Sequence, residues 1–191
     1  MVRNETDRRV RRTRAQLQKA LLELLEEKDI RSITVQELAR RADVNRGTFY
    51  AHYTDVYDLL YQMEDQLFLD FAAMLGTYTP QQLQGDLSAL LTDVFRFIRD
   101  NQALTLVFLS PQTEDAFFHR LNALVYQKCL EEWQGLYPVA PPDTPNYCLD
   151  FVVSGAVGLA RTWMRREFRE SPEEMAALAG RLILTGVSSL A

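Results

Sequence analysis

Apolar residues recur along this chain at intervals of three and four, the period of an α-helix with one buried face. Val10, Leu17, Leu21, Leu24 and Leu25 predict a first helix from about Asp7 to Lys28, after a disordered Met1 to Thr6. Ile30 and Ile33 close the loop behind it. Val35, Leu38, Ala39 and Ala42 predict a short second helix, and Phe49 and Tyr53 the inner face of a short third. A longer stripe, Val56, Leu59, Leu60, Met63, Leu67, Phe71 and Met74, predicts a helix to about Thr77. It outlasts what three small helices can cover, so it connects a head to a body. Further helices are expected over Pro80 to Asn101, Gln102 to Leu109, Thr113 to Leu136, Pro145 to Phe168 and Pro172 to Leu190. Tyr137 to Pro145 holds four prolines and reads as a loop. No stretch alternates with the period of a strand, so the fold class is all-α. The expected domains are 1–53 and 54–191.

Polar residues at the helix ends sharpen this picture. Thr34 and Glu37 form a T-x-x-E capping box, as do Thr79 with Gln82 and Ser171 with Glu174. Thr54-Asp55 opens the connector. Asp43 stands where the chain turns, and aspartate tolerates left-handed backbone angles better than most residues. Asn45 is a good N-cap for the third helix. Two short helices around a tight turn are the form of a helix-turn-helix. Gly47 sits inside the second of them, where glycine costs about 1 kcal/mol relative to alanine. A missing side chain there lets the backbone come close to a partner.

Charge changes the functional picture. The net charge of −5 argues against a nucleic-acid partner, but its distribution reverses that argument. Residues 1–53 hold 12 Lys and Arg against 8 Asp and Glu, while residues 54–191 hold 9 against 18. Arg3, Arg8, Arg9, Arg11, Arg12 and Arg14 cluster at the start, suited to phosphate contact or a reach into a minor groove. Cys129 and Cys148 read as buried thiols. With His52 and His119 they offer no ligand spacing, so no metal or cofactor is expected. The charged N-terminus lacks a signal-peptide core, and no apolar run approaches the ~20 residues of a membrane span. A cytoplasmic chain is therefore expected. No G-x-G-x-x-G, Walker loop, H-E-x-x-H or G-x-S-x-G occurs, so nothing points to an enzyme.

The stretch Ile33 to Leu60, ITVQELARRADVNRGTFYAHYTDVYDLL, resembles the tetracycline-repressor-like (TetR) transcriptional regulators. The chain length and basic arm fit the same family, and the last two helices do so more weakly. Pro80 to Pro145 carries no assignable motif. Asp43 stands where the family often has glycine, and Val56 where many members have a lysine that touches a phosphate. The resemblance implies that Asn45 to Tyr53 enters the major groove of double-stranded DNA. Arg46 is then the expected base reader, since a guanidinium matches the acceptor edge of guanine. Thr48 contacts a thymine methyl or a phosphate. Tyr50 and His52 bond phosphates, and Thr34 offers a helix N-terminus to another. Asn45 and Gly47 complete the expected DNA-binding set.

The resemblance also implies a homodimer on a pseudo-palindromic operator, built by the last two helices. Their central residues are unusually small, so they pair either with each other or with their copies. Phe151, Gly155, Gly158, Leu159, Thr162, Leu178, Leu182 and Gly186 are the expected interface. A small-molecule effector is implied in the body, acting by tilting the connector helix. Phe71, Phe95, Phe108, Phe117, Tyr126 and Trp133 are the candidates to line its pocket, with Phe68 and Phe118 beside them. The expected activity is that of a repressor. Two alternatives stay open: an adaptor whose body binds another protein, and an all-α enzyme whose helical hairpin is incidental.

Overall fold

The computed structural model describes residues 2–83, 87–108, 114–133 and 144–188, and among them all regular structure is helical. The helices are α1 (Val2–Glu27), α2 (Val35–Arg41), α3 (Arg46–Tyr50), α4 (Val56–Leu75), α5 (Pro80–Leu83), α6 (Ser88–Asp100), α7 (Gln102–Phe108), α8 (Glu114–Trp133), α9 (Thr144–Arg165) and α10 (Pro172–Ser188). One 3-10 turn, Ile30–Ser32, joins α1 to α2. Packing divides the chain into two compact units, Met1–Leu67 and Phe68–Ala191. The division falls inside α4, beyond the 53/54 boundary expected from the sequence. The first half of α4 belongs to the first unit and buries Val56, Leu59, Leu60, Met63 and Leu67.

In the first unit the expected stripe of α1 is buried, with Leu17, Leu21 and Leu24 at 0% exposure. Leu38, Phe49 and Leu59 are equally buried. One expectation fails here. The segment before Asp7 is helical from Val2 rather than disordered. Residues 2–6 extend a helix already nucleated by the packed turns behind them, and propagation lacks the cost of a new nucleus.

In the second unit α6 packs along α10, with α9 against both. Leu91 and Phe95 meet Trp163, Met175, Ala176 and Ala179 in one cluster, bordered by Leu159 and Ile183. Ala176, Ala179 and Gly180 present a small surface to α6, and a Cβ on Gly180 would lie 3.6 Å from Leu91 Cδ1. The small seam of α10 is therefore used inside the protomer. Arg96 on α6 bonds Glu173 at the start of α10 at 2.6 Å. A separate aromatic group joins Phe68, Phe108 and Phe117, the last two stacked 5.6 Å apart. The Arg120 guanidinium lies 4.3 Å from the Phe68 ring centre.

The helix ends obey their capping residues. The Ser171 N–H donates to Glu174 Oε2 at 2.7 Å and the Glu174 N–H to Ser171 Oγ at 3.2 Å, a complete capping box. The box at Thr79 and Gln82 also forms, but it opens only the single turn of α5. The continuous helix expected over Pro80 to Asn101 is thus two helices, and α6 starts behind Leu87 with no side-chain cap. Residues 84–86 between them lie outside the described residues, as does the proline-rich loop except for its last two positions.

α9 ends in a Schellman motif. The Phe168 N–H donates to the Trp163 carbonyl at 3.0 Å and the Glu167 N–H to that of Met164 at 2.9 Å. Glu167 and Phe168 take left-handed angles, φ 57° and 54°. Phe168 is held there by an edge contact with Trp163, ring centres 4.7 Å apart. Trp163 also donates from Nε1 to the Glu170 carbonyl at 2.8 Å. A left-handed residue with a Cβ carries a strain of about 1–2 kcal/mol. Glu167→Gly should therefore raise the urea midpoint, with a gain in unfolding free energy of up to about 1 kcal/mol once glycine's chain entropy is offset. A lowered midpoint would contradict this account of the turn.

Candidate nucleic-acid interface

The helix-turn-helix is assembled from α2, the turn at Asp43 and α3. Thr34 caps α2, its Oγ1 accepting the Glu37 N–H at 3.2 Å. The return half of the expected box is replaced. The Glu37 carboxylate instead accepts Lys28 Nζ at 2.6 and 2.7 Å, tying the end of α1 to α2. A second clamp joins Arg41 to Glu27 at 2.9 Å and to Glu23 at 3.6 Å. Asp43 has φ 53°, as its position demanded. Its N–H donates to the Arg40 carbonyl and the Val44 N–H to that of Ala39, another Schellman closure.

Asn45 caps α3, its Oδ1 accepting the Gly47 N–H at 2.8 Å. Phe49 is fully buried and Tyr53 nearly so, and their ring centres are 5.6 Å apart. That anchoring turns the polar side of α3 outward. Asn45, Arg46, Gly47 and Tyr50 are exposed, with Thr48 and His52 half-buried. Thr34 is exposed at the start of α2. Gly47 does not have a left-handed backbone, and a Cβ there meets nothing nearer than Asn45 Oδ1 at 3.4 Å. Nothing within the chain requires glycine at this position.

The cations of the first unit fall into two groups. Lys28 and Arg41 are held by the acids of these clamps, and Arg31 by Asp29 through bonds of 3.0 Å. The Arg31 side chain draws the Asp29 carboxyl down to about 2, and Arg41 lowers that of Glu27. Arg46 and Arg40 are exposed, with no such acid beside them among the described residues.

The start of α4 shows what the departure at Val56 means. Val56 is a core residue, 4% exposed. Asp55 caps the helix by accepting the Asp58 N–H at 2.8 Å, and Thr54 donates its N–H to Asp58 Oδ2 at 2.8 Å. The Thr54 N–H, and after it the Gln62 side chain, lower the Asp58 pKa. Two carboxylates thus occupy the helix end where the resemblance suggested a phosphate contact.

The body residues singled out from sequence divide. Phe95 lies in the packed core of α6, α9 and α10, 1% exposed, with its ring edge-on to Trp163. Phe108 and Phe117 are buried on each other, and Phe71 is half-buried with its ring 5.3 Å from that of Phe97. Tyr126 is half-buried, while the side chains of Phe118, Trp133, Cys129 and Cys148 lie outside the described residues. On α9, Phe151, Gly155, Gly158 and Thr162 share an exposed face, and a Cβ on either glycine would meet open space. Leu182 is 54% exposed. Leu159 borders the internal cluster and Leu178 is half-buried, while Gly186 is outside the described side chains. No group of three or more metal-ligating side chains occurs among the described residues. None of the described helices is long and apolar enough to cross a membrane.

Comparison with known proteins decides the family. A model of bacterial regulatory proteins of the tetR family matches residues 17–63, and one of a transcriptional regulator C-terminal region matches residues 85–185. The chain belongs to the tetR family of bacterial regulatory proteins. YxbF of Bacillus subtilis (strain 168), described as an uncharacterized HTH-type transcriptional regulator, is 47% identical over 60 residues. That match covers 31% of this chain but only 16% of that relative. A TetR transcriptional regulator from Streptococcus agalactiae 2603V has the same fold, with TM-score 0.61 and 22% identity over 93% of this chain and 97% of that one. So does the transcriptional regulator FadR from Bacillus subtilis, solved in complex with stearoyl-CoA, with TM-score 0.67 and 14% identity over 90% and 98%. TetR regulators are DNA-binding proteins, and α3 lies within the residues matched by the tetR-family model.

The cap at Asn45 yields a direct test. Asn45→Ala should lower head stability by about 1 kcal/mol in thermal unfolding, whereas Asn45→Asp, which keeps an acceptor, should leave it within about 0.5 kcal/mol. Equal losses in both variants would remove the cap from the account.

Proposed function

We propose that this chain is a dimeric repressor of the cytoplasm that reads a pseudo-palindromic operator and is released by a small-molecule effector. The observation that carries the proposal is the outer side of α3. Burial of Phe49 turns the polar residues outward, and Gly47 leaves the helix backbone open to close approach. Arg46 reads a guanine edge in the major groove. Thr48 meets a thymine methyl or a phosphate. Tyr50 and His52 bond phosphates and set the register, as does the N-terminus of α2 at Thr34.

The dimer is formed by the outward face of α9, with Leu182 of α10 beside it. Two helix-interior glycines each carry a propensity cost of about 1 kcal/mol. Gly155 and Gly158 have open space around them, so close approach by a second copy is the favoured reason for them. Two recognition helices then lie about 34 Å or a multiple apart on the operator. The effector enters beside Phe68, Phe71, Phe108 and Phe117. It shifts α4 and the half-site spacing, and can do so only by binding the two states with different affinity.

Selection from a random duplex library at stated salt should enrich a pseudo-palindrome, and Arg46→Ala should lose preference at one base pair per half-site. Enrichment of no motif would contradict sequence-specific regulation. Gly158→Leu should fold as well as the parent but sediment as a monomer. A dimer of unchanged affinity would place the interface elsewhere.

A further inference from the structure

The turn behind α4 is bonded back onto its helix. The Gly76 N–H donates to the Ala72 carbonyl at 2.9 Å, that of Thr77 to Met74 at 3.1 Å and that of Tyr78 to Leu75 at 3.2 Å. Tyr78 is half-buried, and its phenol donates to Asp93 Oδ2 on α6 at 2.6 Å. A hydroxyl donating to a carboxylate at that length makes a strong, directional bond. Burial, and after it the Asp93 bond, pushes the Tyr78 phenol up to about 12, so it stays a donor at neutral pH.

Asp93 begins a longer chain of contacts. Arg96, three residues on, lies 3.5 Å from Asp93 Oδ1 and bonds Glu173 Oε1 of α10 through Nε at 3.2 Å and Nη2 at 2.6 Å. Leu91 and Phe95 of the same helix are buried against α9 and α10. Phe71 against Phe97, ring centres 5.3 Å apart, is an apolar contact between α4 and α6. Asp93 and Phe97, four apart, share a face of α6. Stacked rings tolerate sliding over about 4.5–7 Å between centres, whereas a hydrogen bond is lost within a fraction of an ångström. The phenol is thus the contact that defines where the end of α4 sits on α6.

We propose that Tyr78 is a positioning residue for operator reading, its bond to Asp93 fixing the end of α4 on the α6–α10 core and so setting the half-site spacing that the dimer accepts. The inference rests on the dimeric, operator-reading function proposed above. The proposed dimer face belongs to α9 and α10, which are packed with α6. α4 runs unbroken from Val56 to Leu75, and its first half is packed in the same unit as α3. Angular freedom at its far end is therefore carried along about 30 Å of helix, at 1.5 Å per residue. A slack end widens the range of positions open to each α3. It leaves unchanged the contacts that α3 makes within one half-site.

Tyr78→Phe deletes the hydroxyl and keeps the ring. The full chain and this variant are compared on the duplex enriched by selection, on the same duplex with a base pair inserted between the half-sites, and on a duplex holding a single half-site. The parent should prefer the selected spacing, and the variant should reduce that preference by roughly threefold or more. Affinity for the single half-site should not change. Asp93→Asn, which keeps an acceptor for the phenol, should retain the parent's spacing preference, and Asp93→Ala should match Tyr78→Phe. An unchanged spacing preference in Tyr78→Phe overturns the tie and leaves the dimeric reading intact. An equal loss on all three duplexes also overturns it, because it makes Tyr78 a residue of stability alone. A parent chain indifferent to spacing overturns the dimeric reading and this inference together.

Discussion

A helix of five residues has no stability of its own, and α3, the helix proposed to read DNA, is that short. Everything in the first unit serves to hold it. The main grip is Phe49, whose full burial is worth about 1.5–3 kcal/mol. The cap at Asn45 adds about 1 kcal/mol. Asp43 sets the angle of entry by taking the left-handed conformation that closes α2. α2 is itself only seven residues long and is fastened to α1 by Lys28–Glu37 and by Arg41 with Glu23 and Glu27. These solvent-accessible pairs add little stability each, on the order of 0–1 kcal/mol. Their further effect is on charge. They neutralise the cations at one end of the head and leave those of α3 and the start of α1 to face outward.

The second unit poses a different constraint, because α9 and α10 both carry small residues but use them differently. On α10, Ala176, Ala179 and Gly180 admit α6, and the seam is filled inside the protomer. On α9, Trp163 turns inward to anchor that same core, while Gly155 and Gly158 look out on open space. The packing within one chain thus accounts for Ala176, Ala179 and Gly180, while the proposed dimer would account for Gly155 and Gly158. The anchoring of α9 through Trp163, Phe168 and the Glu170 carbonyl gives that outward face a fixed orientation. Rigidity of this kind is what a dimer needs if half-site spacing is to carry information.

Much of this was legible in the sequence where the cause is local. Caps at Thr34, Asn45, Thr79 and Ser171, and the left-handed turn at Asp43, depend on residues within a few positions of each other. The unreadable parts depend on distant neighbours. Glu37 had the spacing to complete its own box, but a lysine nine residues earlier offered the stronger, charged partner. Phe95 had the character of a pocket wall, yet only the packing of α6 against α9 and α10 shows it as core. The seams of α9 and α10 look alike in composition, and only tertiary contacts separate them. The residues before Asp7 were expected to be disordered, but α1 starts at Val2 as a continuation of the packed turns behind it. Among the expected DNA-contact residues, the outward side of α3 was legible directly from the spacing of Phe49 and Tyr53. Their individual roles came from resemblance to the family.

The central claim is that α3 meets DNA through a backbone left bare at Gly47. Gly47→Ala tests it most directly, with unfolding by urea and affinity for the selected duplex measured on the same preparation. Alanine is the better helix former, and its methyl has room beside Asn45, so stability should be unchanged or raised by up to about 1 kcal/mol. Affinity should nonetheless fall at least tenfold, on the order of 1.4 kcal/mol. A variant that is as stable as the parent and binds the duplex equally well would contradict the account.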